Sequence, residues 1–434
     1  MANKKNIRVG ISIGDINGIG PEVVMKTFSD SRMLDSCTPI IFCPSKVIAY
    51  YRKTLHLKNF HFTVCDHIKD IKHKQVNILA STHEEIPMKP GTSTEVAGKI
   101  ALESLEAATE ALKNNEIDVL VTAPINKENI QSDSFSFPGH TEFLKDRLAA
   151  NEALMLMVND SLRIAVATGH IPVSEISNRL TSDIIVQKAE ALHNSLVLDF
   201  MIRKPKVAVL AINPHAGDNG LIGNEEQDYL NDTIEALQDQ NILAYGPFPA
   251  DGFFATGMYL KYDAILAMYH DQGLVPFKTL SFQNGVNYTA GLPFVRTSPD
   301  HGTAYDLAGQ GKASEQSFRK AVFQAIDIFN SRTENQELEK NKINPKEISR
   351  FLLAKKQAYH QKQKLKSTNR KQDNNERKDV AKPRPERRNS EREKQNKPKE
   401  FETKKPLQTK KEESKINKIE KPDTSNNSEL KSEN

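Results

Sequence analysis

Short runs rich in Val, Ile and Leu recur through the first three quarters of the chain, without a regular alternation of apolar and polar positions. They are "IRVGISI" (7–13), "PIIFC" (39–43), "DVLVTAP" (118–124), "LRIAVAT" (162–168), "KVAVLAI" (206–212) and "DAILAMY" (263–269). A strand with one wet face alternates apolar and polar residues. These runs do not, so they predict strands buried on both faces, as in parallel sheets. Between them the apolar spacing lengthens to the helical period. The clearest stripe is Ala97, Ala101, Leu105, Ala108 and Leu112 within 93–114, with Thr92 and Glu95 placed to form a capping box. Further helices are predicted near 180–198, 224–239 and 314–331, and another over 346–366. Strands alternating with helices on this scale predict an α/β fold with mainly parallel sheets.

Four of the apolar runs stop on polar groups. Val121 leads into Thr122-Ala123-Pro124-Ile125-Asn126-Lys127, Ala167 into Thr168-Gly169-His170, Ile212 into Asn213-Pro214-His215, and Tyr269 into His270-Asp271. Ligands of open α/β sheets bind beyond the carboxyl ends of strands, so these four ends predict one shared cleft. Three carry a histidine: His170, His215 and His270. Neutral imidazole suits Zn²⁺ and other divalent first-row metals, and three such ligands leave positions open for substrate. Separations of 45 and 55 residues form no local motif. The plainer alternative is three strand-end histidines, each bonded to backbone.

"SFPGHTEFL" (136–144) sets His140 and Thr141 at a helix start. Free backbone N–H groups there hold an anion, or Thr141 simply caps the helix. Lys278 and Arg296 lie close to the strand-like stretches 286–294 and 294–298. Such cations answer a phosphate or carboxylate, or else form ordinary surface ion pairs. Gly14, Gly18 and Gly20 of "GDINGIGPEV" (14–23) fit neither G-x-G-x-x-G nor a phosphate-binding loop with its lysine. Tight backbone turns account for them without a ligand.

Charge divides the 434 residues unevenly. Residues 361–434 hold 23 Lys/Arg against 14 Asp/Glu, while residues 1–360 hold 37 against 42. The overall +4 therefore belongs to a tail on a mildly acidic body. From 367 to 434 the chain has almost no apolar residues, many charges and several prolines, and is predicted to be a disordered basic tail. Its signs are mixed and Phe401 is its one aromatic residue, which gives no support for stacking on nucleic acid. Three cysteines, Cys37, Cys43 and Cys65, with no C-x-x-C, argue against a disulfide framework or thiolate zinc site and fit a reducing compartment. Gly14-Asp15 interrupts the first apolar run too early for a signal peptide, and no run is long enough to span a membrane. A cytoplasmic location is expected.

Taken together, "GDINGIGPEV", "VTAPINK", "FPGHTEFL", "TGHIPV", "NPHAGDNGLIGNEE", "GPFPADGFF", "DAILAMYHDQGLVPFK" and "GVNYTAGLPFVRTSPDHGTAYDLAGQGKA" resemble the 4-hydroxythreonine-4-phosphate dehydrogenase family, in family order, from residue 7 to about 325. The resemblance implies a two-domain α/β/α subunit related to isocitrate and isopropylmalate dehydrogenases. In this chain it implies a two-lobed catalytic region over 1–335, a helical segment over 336–366 and the tail over 367–434. It implies a homodimer with the active site in the interlobe cleft. By the same resemblance His170, His215 and His270 match the ligands of one divalent metal (zinc, magnesium, cobalt or similar), one of them supplied across the dimer interface. His140, Thr141, Lys278, Asn287 and Arg296 match substrate contacts. His301, Gly302, Thr303 and Asp306 fall in "DHGTAYDLAGQGKA" (300–313), similar to the segment holding NAD or NADP in the relatives. Lys278 and Asp271 are the expected catalytic residues, with Asp271 orienting a histidine.

The chain departs from the family at Asp15-Ile16-Asn17, where proline and a small residue often follow the acidic one, and at Gly169, where threonine is common. The implied reaction is NAD-dependent oxidation of 4-phosphooxy-L-threonine at its 3-hydroxyl, then decarboxylation to 3-amino-2-oxopropyl phosphate, a step in pyridoxal phosphate biosynthesis. Its rivals are a dehydrogenase for 4-phospho-D-threonate or D-erythronate, a metal-dependent phosphatase, which would want more carboxylates than these motifs supply, and a tail-mediated interaction protein.

Overall fold

Twelve strands hydrogen-bond into a single sheet in the computed structural model, which describes residues 6–80, 85–281, 284–342 and 345–376. In chain order they are β1 (Ile7–Ser12), β2 (Cys37–Phe42), β3 (Thr63–Cys65), β4 (Asn77–Leu79), β5 (Val119–Thr122), β6 (Leu154–Val158), β7 (Arg163–Val166), β8 (Lys206–Leu210), β9 (Leu243–Phe248), β10 (Ala264–Ala267), β11 (Val286–Ala290) and β12 (Arg296–Pro299). Across the sheet the order is β3-β4-β2-β1-β5-β12-β11-β6-β7-β10-β8-β9.

Two blocks are parallel, as the unbroken apolar runs predict: β3 through β12, and β7 through β9. They are joined by antiparallel pairings of β12 with β11, β11 with β6, and β6 with β7. Three reversals make the two blocks run in opposite directions. Burial follows the pattern. In β1 and β5, Val9, Ile11, Val119 and Val121 pack with Val23 and Ile19 on one face, while Leu120 packs with Ala101, Leu105, Ala108 and Leu112 on the other.

Several local expectations change. The helix Glu95–Lys113 is capped by Thr94, whose Oγ1 accepts from the Ala97 N–H at 3.2 Å. Thr92 does not cap it; its carbonyl is taken by Asn17 Nδ2 at 3.0 Å. The run 263–269 is not all strand: β10 ends at Ala267, and His270 is the first residue of a helix, His270–Leu280. The stretch 224–239 becomes a π turn, Glu226–Leu230, followed by a helix, Asn231–Asp239.

The helix that starts at Gln316 runs to Lys340, so the expected boundary at 335 falls inside it. The sheet and its helices form one unit, ending at Asn344. A second unit begins with the helix Pro345–Glu376, longer than the predicted 346–366 and exposed throughout 348–366. The predicted tail beyond Glu376 lies outside the described residues.

Candidate active site

Where the two blocks meet, cross-strand register builds a floor. Asn287 of β11 pairs with Ser298 of β12 on one side and with Met157 of β6 on the other, so the three side chains stand in a row on one face. Met155 and Arg296, each two residues from a member of the row, share that face by the period of a strand. All five line a cleft of about 260 Å³. Its walls are strand ends and the loops and helix starts that follow them: Thr122 at the end of β5 with Ala123, Pro124, Ile125 and Lys127 beyond it, His170 after β7, and the helix of His270 after β10. Because β7 and β10 are neighbours, His170 and His270 come together, with ring centroids 5.5 Å apart.

Arg296 dominates the floor. It is only 2 % exposed, and no acidic side chain pairs with it among the described residues. Its Nε and Nη2 donate to Thr122 Oγ1 at 3.2 and 2.6 Å, and Nη1 donates to Thr289 Oγ1 at 3.0 Å. Burial pulls its pKa down to about 9, with Glu142 pulling the other way. This is not the surface ion pair that was the alternative reading of Arg296. A guanidinium has five N–H donors, so two remain for a ligand.

Four more polar groups on the same cleft lack partners although buried: His140 Nε2, Glu142 Oε2, Asn287 Oδ1 and His301 Nε2. Native proteins rarely leave such atoms unpaired, because each unmet group costs about 1–3 kcal/mol. Burial holds His140 well below the usual imidazole pKa, helped by the positive charges of Arg296 and Lys127. Burial also lowers His301. His170 is lowered by burial first and then by Lys127, whose Nζ lies 3.3 Å from His170 Nε2.

His270 Nδ1 lies 2.7 Å from Asp271 Oδ1, which fixes the ring and leaves Nε2 for the cleft. Thr141 lines the cleft beside His140 at the start of the helix His140–Arg147. Lys278 is on the same helix as His270 and reaches Asp300 at 3.6 Å. Burial raises the pKa of Asp300, and Lys278 opposes it.

His215 is not among the cleft residues. It is exposed, in a loop after β8 where His215, Ala216, Gly217 and Asp218 all take positive φ, at 52°, 55°, 76° and 44°. The buried carboxylate of Glu226 braces that loop, accepting from the Ile212 and Asn213 N–H groups at 2.8 Å each. Among the described residues no three His, Cys, Asp or Glu side chains gather as a metal site within this chain.

The expected cofactor segment divides. His301 and Gly302 line the cleft, whereas Thr303 and Asp306 lie in the loop that follows. A second, more apolar cavity of about 400 Å³ adjoins the cleft. It shares Lys278, Asp300 and His301 with it, and Ile19, Ala304, Leu307 and Ala313 form its walls.

Lys127, Glu142 and Asp300 sit inside motifs quoted from the sequence, but only the folded chain shows that they line the cleft. Thr122 and Thr289 also sit inside quoted motifs, Thr122 at one of the polar strand ends, but nothing in the sequence pairs either with Arg296. Space does not require the glycine at 169, since a Cβ there would meet nothing within 4 Å.

Orphaned polar atoms around a lone buried cation, at the meeting of two parallel blocks, are what an α/β enzyme needs to grip a small anionic, hydrogen-bonding substrate. The chain belongs to the pyridoxal phosphate biosynthetic protein PdxA family, matching it over residues 35–325, and is a dehydrogenase. It is 49% identical over 330 residues to a 4-hydroxythreonine-4-phosphate dehydrogenase of Bacteroides thetaiotaomicron, covering 76% of this chain and 90% of that one. It is 33% identical to a putative D-threonate 4-phosphate dehydrogenase of Oceanobacillus iheyensis, covering 75% of this chain and 98% of the relative. Among solved structures, the 4-hydroxythreonine-4-phosphate dehydrogenase of Klebsiella pneumoniae superposes with a TM-score of 0.64 at 31% identity. The match covers 76% of this chain and 99% of that one.

Proposed function

We propose that the chain oxidises 4-phosphooxy-L-threonine at its 3-hydroxyl with NAD or NADP and releases CO₂, giving 3-amino-2-oxopropyl phosphate. The observation that carries this reading is Arg296, buried on the cleft floor with no acidic side chain paired to it among the described residues. A phosphate supplies the missing negative charge and accepts both spare N–H groups. Held there, it acts as a handle that fixes the reacting carbon.

The unpartnered acceptors Asn287 Oδ1 and Glu142 Oε2 favour an amino acid over a hydroxy acid. An ammonium brings three donors to such acceptors, whereas a hydroxyl brings one. Lys278 borders both the polar cleft and the apolar cavity, so it stands where substrate and cofactor would meet. In the proposed reaction Lys278 first gives up its own proton to solvent and, as the neutral amine, takes the hydroxyl proton while hydride leaves C3 for the nicotinamide. The resulting 3-keto acid then breaks its bond to the carboxylate carbon. The electron pair stays on the product as an enolate, which a proton returned by Lys278 quenches as CO₂ leaves. Asp271 orients His270, and Asp300 holds Lys278 at the joint between the two cavities.

A divalent metal fits part of the donor set, since His170 is kept neutral by burial and His270 presents Nε2. Zinc, magnesium or cobalt bound there would supply Lewis acidity at the substrate oxygen. His215 of the partner subunit completes the set in a homodimer; its braced loop, exposed on its own subunit, is built to present a side chain outward. The cytoplasm suits the three buried free thiols, Cys37, Cys43 and Cys65.

Formation of NADH from 4-phosphooxy-L-threonine, with added divalent metal, before and after chelation, tests the reading. Turnover on the L-amino substrate at least tenfold above that on 4-phospho-D-threonate is expected. The reverse preference would move the chain to the second substrate, which the Oceanobacillus relative makes the natural rival.

A further inference from the structure

The glycine-rich segment 14–26, which fits no phosphate-binding motif, has a different task in the folded chain. It holds one continuous loop, 301–313, at three places. At the near end the Ile19 N–H donates to the Thr303 carbonyl at 2.9 Å. Gly18 permits that approach, because a Cβ there would stand 2.8 Å from the Thr303 oxygen.

In the middle, Tyr305 donates its hydroxyl to Asp15 Oδ2 at 2.7 Å and accepts from Asn126 Nδ2 at 2.9 Å. Asp15 is buried and is itself fixed by Asn129 Nδ2 at 2.7 Å and by the Asn17 N–H at 2.8 Å. At the far end, the buried Glu22 pairs with the partly exposed Lys26 at 2.9 Å, and together they grip the peptide groups of two residues. Glu22 accepts from the N–H groups of Ala313 at 2.9 Å and Gly311 at 3.3 Å, while Lys26 donates to the carbonyls of the same two residues at 2.7 and 2.8 Å. Between the first two tethers Ala304 sits at φ +40°, a conformation that persists only where its surroundings over-determine it.

The clamped loop is also a wall of the apolar cavity, through Ala304, Leu307 and Ala313, with Ile19 opposite. We propose that Asp15, Glu22 and Tyr305 are positioning residues for the dinucleotide. They touch neither substrate nor cofactor, but they fix the loop whose shape sets cofactor affinity. The inference rests on the reading that the apolar cavity takes the nicotinamide cofactor. The departure at Asp15-Ile16-Asn17 belongs to the same clamp. Asn17 joins the loop's anchor to the segment before the helix Glu95–Lys113, through the Lys89 N–H at 2.9 Å and Thr94 Oγ1 at 3.1 Å.

The test is NADH binding by fluorescence titration, alongside steady-state kinetics, in Tyr305→Phe, Asp15→Asn and Glu22→Gln. Each removes or weakens a hydrogen bond at a charged group, so NADH affinity and the KM for NAD should worsen about tenfold. The KM for the phosphorylated substrate and kcat at saturating NAD should stay within about twofold of the parent, a split that general destabilisation would not give. Tyr305→Phe loses a single hydroxyl and remains informative if the buried carboxylate variants fold poorly. Unchanged NADH affinity in Tyr305→Phe, or equal losses for both substrates, overturns the inference. Ala313→Phe separates the two claims: if filling the cavity leaves NADH binding intact, the cofactor lies elsewhere and the reading beneath the inference fails.

Discussion

Replacing Arg296 with lysine keeps the positive charge and removes the fork, and the structure says what that should do. The guanidinium spends three contacts on Thr122 and Thr289, and one N–H on each terminal nitrogen is left over. Its pKa is depressed from 12.5 to about 9 by burial. At 1.36 kcal/mol per pKa unit that is a net cost on the order of 5 kcal/mol of keeping the side chain charged, which a bound anion offsets. Two hydrogen bonds to a charged group contribute about 1.5–3 kcal/mol each. Lysine restores part of the Coulomb attraction but cannot hold both threonines and the ligand. Arg296→Lys should therefore lower kcat/KM by about 10²-fold or more. It should also abolish most of the rise in Tm that inorganic phosphate or a phosphorylated ligand gives the parent enzyme. Steady-state kinetics and thermal melts with and without phosphate read both effects. A variant with parental kcat/KM and an undiminished phosphate-induced rise in Tm would show that the anion is held elsewhere.

Burial and two neighbouring cations hold the His140 pKa below that of the unfolded chain. The folded state then binds fewer protons than the unfolded one as pH falls below about 6.5, so stability is full above that value and declines beneath it. Tm measured from pH 7.5 to 5 should fall less steeply in His140→Gln than in the parent. If the proposed metal site is shared between two subunits, His215→Ala and His270→Ala should each lose turnover when made alone. Mixed and allowed to exchange subunits, they should recover about a quarter of parental activity, because in each mixed dimer one complete site re-forms. No recovery would place all three imidazoles on one subunit. Glu142→Gln should raise the KM for 4-phosphooxy-L-threonine about tenfold while changing little for its 2-hydroxy counterpart; equal losses on both would remove Glu142 from recognition of the amino group.

What the sequence revealed of this fold tracks how strongly each segment is driven by its own residues. The inner strands of the two parallel blocks, such as β1, β5, β8 and β10, are buried on both faces, and runs rich in Val, Ile and Leu such as 7–13 and 206–212 announce them. β3 and β4 have three residues each, too few for any period to emerge. β6, "LMLMV", exists because β11 and β7 flank it on both edges. The helix at His270 was hidden because its first turn follows an apolar run directly, with no capping side chain to mark the change.

The site divides along the same line. Histidines ending strands are visible as a break in a pattern, so His170 and His270 could be picked out, and neighbouring strands then bring them together. Arg296 could be named, but its burial could not, because burial comes from register: β12 must lie between β5 and β11 before Thr122 and Thr289 can reach it. His215 shows the limit most sharply. It follows β8, the strand beside β10, yet its braced left-handed loop turns it away from its own cleft. Within this chain, then, two of the three expected donors face one cleft, and the third is held on a braced, exposed loop apart from it.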